Sequence, residues 1–491
     1  MPRPANAPVV VIGAGPAGLT AAYDLTRRGV PTIVFEQDAQ VGGLAKTVVY
    51  DGFRFDIGGH RFFTKVSNVR ELWRELLGDD LLERPRLSRI YYRGRFFDYP
   101  LKAANVLANI GPLTGVAILA SYARACLAPI VPERSFEDWI CNRFGRRLFE
   151  MFFRSYTEKV WGIPCAEIGA EWAAQRIRGL SLRTAALDML RPSRATRVKT
   201  LAHAFEYPRL GPGMMWEACR DRIVEAGGTV ALGARIVEIA HDGGEVRAVV
   251  VDVDGGRRAQ PASHVISTMP VRDLVASLAP APPASVRRAA DGLKYRDFLT
   301  VALIVDQADV FPDNWIYVHD TSVRVGRVQN FKNWSPAMVP DPARTCLGLE
   351  YFCTSGDALW AMDDASLVAL ASRELETIGL VARQRVVDGT VLRVRKAYPV
   401  YDAGYREAIA EVRTWVDSLS NLQLVGRNGM HKYNNQDHSM LTARLAVRNI
   451  FGARHDLWRV NADAEYHEDA ELAALSSAQP LVPRRMPVEN G

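Results

Sequence analysis

Residues 9–37, VVVIGAGPAGLTAAYDLTRRGVPTIVFEQ, restrict the fold of this 491-residue chain more than any other stretch. An apolar run, Val9–Ile12, leads into Gly13-x-Gly15-x-x-Gly18 and a helical pattern that ends at Gly29. A second apolar run, Thr32–Phe35, delivers Glu36. Strand, glycine turn, helix, strand and acid in register make a dinucleotide fingerprint, where the glycines alone would be a weak signal. Gly13 permits the tight turn, Gly15 lets the backbone approach a pyrophosphate, and Gly18 lets the helix close on the sheet. The helix start offers unpaired N–H groups and the positive end of its dipole. Glu36 is placed to accept from a ribose diol and would repel a 2′-phosphate, which argues against NADP. The competing reading, a glycine-rich turn without ligand, must treat these elements in register as coincidence.

Two more glycine pairs follow. Val41-Gly42-Gly43-Leu44 comes directly after the acidic strand, and Phe55-Asp56-Ile57-Gly58-Gly59-His60 after a short hairpin-like stretch, VVYDGFRFD. A plain NAD dehydrogenase would continue strand–helix–strand here. Such loops instead let backbone N–H groups reach a larger, flat cofactor. The pattern GxGxxG…E…GG…DxGxH resembles the FAD-binding start of the amine oxidase, protoporphyrinogen oxidase and UDP-galactopyranose mutase superfamily, which implies FAD. The implied binding set is Gly13, Gly15, Gly18, Glu36, Gly42, Gly43, Leu44, Gly58, Gly59 and His60, with Gly426 and Arg427 from the far end of the chain.

The FAD fold of that superfamily is discontinuous, so the chain should return to it. Short strands at 228–233 and 235–239, then HVISTMP, then LQLVG at 422–426 read as those returns. The expected architecture is α/β: a discontinuous Rossmann-type FAD-binding domain (1–60, 228–270 and 421–472), a helical insert (61–227), a mixed α+β substrate domain (271–420) and a loose tail (473–491). No internal repeat is evident.

Composition narrows the class. The net charge is +6, with 61 basic and 55 acidic residues and no block of like charges. A nucleic-acid surface would cluster its cations, whereas a small anionic substrate needs only a few placed arginines. Six cysteines lack CxxC spacing, which suits reduced cytoplasmic thiols better than disulfides or zinc, and no metal is expected. The first residues read straight into a strand, and no signal peptide is expected. Ala103–Ala123 is uncharged, but Asn105, Asn109, Gly111 and Pro112 interrupt it. Two buried or interfacial helices are expected, with peripheral membrane contact open, and no transmembrane span.

Within the first insert, YTEKVWG (156–162) sets aromatic residues around an acid and a base. It resembles the YTEKQWG stretch of UDP-galactopyranose mutases. GGHRFFTKVSNVRELW, AYPV at 397–400 and VGRNGMHKYNNQD resemble further mutase motifs, in the right order. The resemblance implies that reduced flavin N5 acts on the anomeric carbon of a nucleotide sugar, interchanging pyranose and furanose rings with no net redox change. It places Tyr156 and Trp161 on the substrate side of the flavin and His60 beside the isoalloxazine. Arg176 and Arg296 would hold a diphosphate, and Tyr433 and Asn435 would face nucleotide and sugar. A plainer reading stands beside each: Trp161 as a core tryptophan, Glu158 and Lys159 as a structural pair, Arg176 confused with Arg178, and His431 and His438 as structural histidines.

Departures bear on the substrate. Asn435 stands where the mutases have aspartate, Val325 precedes Arg327 where they have tyrosine, and RPSRATRVKTL replaces their uridine-side tyrosine. FEYPRLGPGMMW looks more like protoporphyrinogen oxidases and carotenoid-type desaturases. Three readings follow: a mutase-like enzyme on an anionic glycoside, an FAD-dependent oxidoreductase moving hydride from an anionic substrate to N5, or a non-catalytic FAD scaffold. An unknown flavin reductant is implied.

Overall fold

The computed structural model describes residues 6–101, 103–170 and 204–461. Val9–Ile12 lies in a five-stranded parallel sheet, between Thr32–Phe35 and His264–Ser267. Thr229–Ala231 extends one edge and Leu422–Leu424 the other. Of the expected returns, 228–233, 264–270 and 422–426 each supply a strand to this sheet, whereas 235–239 belongs to a separate four-stranded sheet with Val246–Val253 and Gly256–Pro261. A parallel sheet covered on both faces demands continuous apolar runs, and Val9 through Ile12 are all buried. Helix α1 (Pro16–Thr26) leaves the first strand with proline at its start and no side chain capping it. Its first N–H groups are thus available to a ligand. It packs against the closing helix, Gln436–Ile450.

A second sheet has seven strands in the order Val386–Pro399, Tyr295–Val305, Thr345–Cys353, Arg327–Asn330, Trp315–Val318, Ser88–Tyr92 and Arg95–Asp98. The last two come from the first insert, where helical periodicity dominates the sequence. They form a hairpin that pairs parallel with Trp315–Val318, so the two inserts share one sheet.

The helices of the first insert include α2 (Ala103–Ile110), α3 (Pro112–Leu127) and α4 (Arg154–Trp161). The uncharged stretch breaks into two helices at Gly111, which has φ +77°, and Pro112. Among the described residues no helix is long and apolar enough to cross a membrane. The inner sides of α2 and α3 place Val106 and Ile118 in a cluster with Phe97, Phe149, Phe152 and Trp161. Arg176 and the RPSRATRVKTL stretch lie outside the described residues, as does the tail beyond residue 461.

Candidate active site

The cofactor cradle is built from two glycine loops in contact. Gly13 has φ +98°, and a Cβ there would strike the Thr268 hydroxyl. A Cβ on Gly43, which has φ +53°, would lie 3.2 Å from the Gly15 Cα, so glycine suits the close approach of the two loops. Gly42, at φ +103°, opens the short turn Gly43–Ala45 that carries Leu44. Glu36 is buried; its carboxylate accepts from the Ala14 N–H at 2.7 Å and the Asp38 N–H at 2.9 Å. Each oxygen keeps a lone pair for a ribose hydroxyl. Gly426 is tied to the closing helix, its N–H donating to Thr442 Oγ1 at 3.1 Å. The open start of α1 above this groove fits a dinucleotide pyrophosphate.

The loop after Asp56 carries the chain from this cradle onto the second sheet. Gly58 faces Glu350, and Gly59 faces Gln329 and Trp334. His60 follows, with Nδ1 3.1 Å from the Gly58 carbonyl. Burial, then the Arg427 and Arg327 charges, push its pKa down to about 4, so it is neutral at pH 7. Arg427 donates to the carbonyls of Asn434 (2.9 Å) and Ala397 (3.3 Å). Its guanidinium lies over Tyr433 at 4.7 Å and Tyr398 at 5.5 Å. Arg327 is ion-paired with buried Glu350 and donates to the Tyr398 hydroxyl at 3.2 Å. Burial opposes its charge, but Glu350 holds its pKa well above the usual guanidinium value. Trp161 closes the wall, 6.3 Å from Tyr398 and 6.2 Å from Tyr433.

Helix α4 explains the charged and aromatic mixture in YTEKVWG. Tyr156 stacks on His319 at 4.6 Å and meets Tyr317 edge-on at 5.6 Å. Lys159 donates to four backbone carbonyls, Val318, Asp320, Val323 and Val325, at 2.8–3.2 Å. Glu158 turns the other way, to Arg154 at 3.3 Å and the Cys165 N–H at 3.3 Å. Both charges are structural, though each has its own partners. The helix ends at Gly162 in left-handed conformation, φ +68°, where a Cβ would lie 2.5 Å from the Arg296 Cζ. Arg296 donates to Phe352 O at 2.9 Å and Thr354 Oγ1 at 2.6 Å.

The structure therefore brings His60, Tyr156, Trp161, Tyr433 and Arg427 to one wall, with Arg296 held behind Trp161 at the helix end. Asn435 forms a capping box with His438 at the start of the closing helix, a structural task. Sequence reasoning passed over Glu350, Gln329, Tyr317, His319 and the ion-paired role of Arg327. Glu350 did carry a signal: it is the one charge in the apolar strand TCLGLEYFC, and such a residue needs a buried partner.

Burial also holds His319 and His431 neutral, with pKa pushed down to about 3 and about 4. Their ordinary value is near 6.5. Between that value and the folded one the unfolded chain binds more protons, so the stability these histidines confer is lost as pH falls from 6.5 towards 4. His319→Gln is expected to flatten that acid limb by about 1.4 kcal/mol per pH unit. Urea unfolding at a series of pH values measures the difference.

A cradle for FAD opening onto an aromatic and guanidinium wall defines a flavoprotein. Residues 16–450 match the family described as flavin containing amine oxidoreductase, and the chain belongs to that family, with FAD as its cofactor. Among curated relatives, phytoene desaturase (lycopene-forming) from Pantoea ananas is 29% identical over 275 residues, covering 51% of this chain and 53% of that protein. Phytoene dehydrogenase from Streptomyces griseus is 26% identical, covering 50% and 51%. The chain spans about half the length of these relatives. Among solved structures, reduced UDP-galactopyranose mutase superposes with TM-score 0.81 at 21% identity, over 93% of this chain and 98% of that one. Putrescine oxidase bound to putrescine gives 0.60 at 17% identity, over 91% and 99%.

Proposed function

We propose that this flavoenzyme acts at flavin N5 on an anionic glycoside, a nucleotide sugar or a similar phosphorylated sugar, interchanging pyranose and furanose forms. One observation carries the reading. Around His60 the described residues set Arg327 and Arg427, with Arg296 behind Trp161, and the buried carboxylate beside them, Glu350, is committed to Arg327 and Gln329. A protonated amine would meet only like charge there, while a departing phosphate would be stabilised. FAD supplies a nitrogen that serves as nucleophile when reduced and as hydride acceptor when oxidised. Neutral His60 offers a hydrogen bond without competing for the anion, while Trp161, Tyr398 and Tyr433 exclude water and provide flat faces for a sugar. The alternative is oxidation of an anionic substrate by hydride transfer, which the likeness to phytoene desaturase favours. Six free thiols accord with the cytoplasmic location that the reading implies, and a separate flavin reductant is part of the same reading.

The test is anaerobic. Dithionite-reduced holoenzyme is mixed with UDP-galactopyranose and other glycosyl diphosphates, and furanose products are sought by chromatography. Furanose formed only with reduced flavin establishes the mutase. Bleaching of the oxidised enzyme by a substrate, with peroxide formed in air, establishes the oxidoreductase instead.

A further inference from the structure

We propose that Arg61 and Arg86 form a second anion subsite, away from the flavin, that takes a phosphate group of the substrate remote from its reacting carbon, against an aromatic floor. The inference rests on the anionic-substrate reading and names where a second anion sits. Arg86 lies over two rings, 5.4 Å from Tyr99 and 5.6 Å from Trp315. Its Nε is buried with no hydrogen-bond partner among the described residues. No carboxylate among them pairs with either arginine; burial, then the Arg61 charge, lower the Arg86 pKa, and only the Tyr317 and Tyr99 hydroxyls act against them. Elsewhere on this wall every cation is answered: Arg327 by Glu350, Arg296 and Arg427 by carbonyls. Two guanidinium groups kept together without a counter-charge repel, and a planar bidentate fork is the side chain suited to phosphate.

The subsite is continuous with the flavin wall. Arg61 directly follows His60. On the other side a row of rings runs from Tyr99 to Tyr317 at 5.0 Å and on to Tyr156 at 5.6 Å. A substrate with its reacting carbon at N5 and a further, remote phosphate on Arg61 and Arg86 would lie along that row.

Inorganic diphosphate is the probe, titrated into FAD-loaded protein by calorimetry, with quenching of tryptophan fluorescence (Trp315 lines the subsite) as a second readout. Arg86→Met and Arg61→Met should each weaken binding by about tenfold or more, with the flavin spectrum unchanged. Arg61 is exposed, so its replacement tests the subsite without disturbing the core. Diphosphate binding that is absent in the parent, or within twofold of the parent in both variants, overturns the proposal. A failed furanose assay with intact diphosphate binding would remove the mutase reading alone.

A different observation carries a second inference: helices α2 and α3 seat on an anionic bilayer surface. Leu113 and Leu127 are 86% and 87% exposed, with Leu107, Val116, Leu119, Ile130 and Val131 around them. On α3, positions 113, 116, 120 and 127 recur at helical spacing, so the outer face is an apolar stripe. No acidic residue occurs between Asp98 and Glu133, while Arg124 lies on the exposed face and Arg134 just beyond it. Anionic headgroups complement those cations. Holoenzyme should sediment with phosphatidylglycerol-containing vesicles and not with phosphatidylcholine alone. The triple variant Leu113→Gln, Val116→Gln, Leu127→Gln should lower the bound fraction about tenfold or more. Equal sedimentation of parent and variant, or a vesicle-free dimer that the variant dissolves, would refute it.

Discussion

Gly18→Ala is expected to purify colourless. A Cβ at this position would stand 1.8 Å from the Gly13 carbonyl oxygen and 3.3 Å from a Val11 methyl group. The neighbours are backbone and a packed strand, so neither can swing away. Helix α1 must lift from the sheet, an overpacking that costs about 1–3 kcal/mol. That movement also carries the N-terminus of α1 off the pyrophosphate groove between Gly15 and Gly43. Losing the helix-end contacts as well should weaken FAD by about a hundredfold, equivalent to roughly 2.7 kcal/mol. Gly29→Ala is the control: φ is +71° but nothing lies within 4 Å of its Cβ. It should lose some stability to backbone strain and keep its flavin. The ratio of visible to ultraviolet absorbance measures both. A yellow Gly18→Ala protein with full flavin content would refute the account of the cradle.

That site was legible in the sequence because its geometry is local. Gly13, Gly15, Gly18 and Glu36 fall within one strand–helix–strand unit, and their spacing fixes what they can touch. The wall opposite the flavin was legible only as a resemblance. Arg327 and Glu350 face each other because strands Arg327–Asn330 and Thr345–Cys353 pair in one register, and a shift by one residue would send them to opposite faces. Likewise the hairpin 88–98 has its own turn, but nothing in it says that Trp315–Val318 lies alongside. Arg86 was invisible for the same reason, since the Trp315 ring beneath it comes from a strand far along the chain.

Lys159→Met should remove about 3–5 kcal/mol of stability while leaving FAD in place. The ammonium has three protons and four carbonyls within reach, so it satisfies backbone groups at a strand end and in a loop. Val318 ends strand Trp315–Val318, and the other three lie in the connection to strand Arg327–Asn330. Methionine keeps the length and the apolar stem but no donor. Each buried carbonyl then lacks a partner at about 1–3 kcal/mol, partly relieved as water enters. Lys159→Arg cannot restore the parent, because a planar fork does not reproduce a compact point charge inside a ring of carbonyls. The consequence reaches the site through His319, which sits in this connection and stacks on Tyr156. Loosening it should weaken substrate more than cofactor, since Gly13, Gly15 and Glu36 lie on the other sheet. An unchanged denaturation midpoint in Lys159→Met would mean that the four carbonyls are satisfied by solvent. The charge in YTEKVWG would then have no structural cause, and a role in substrate binding would have to be sought for it.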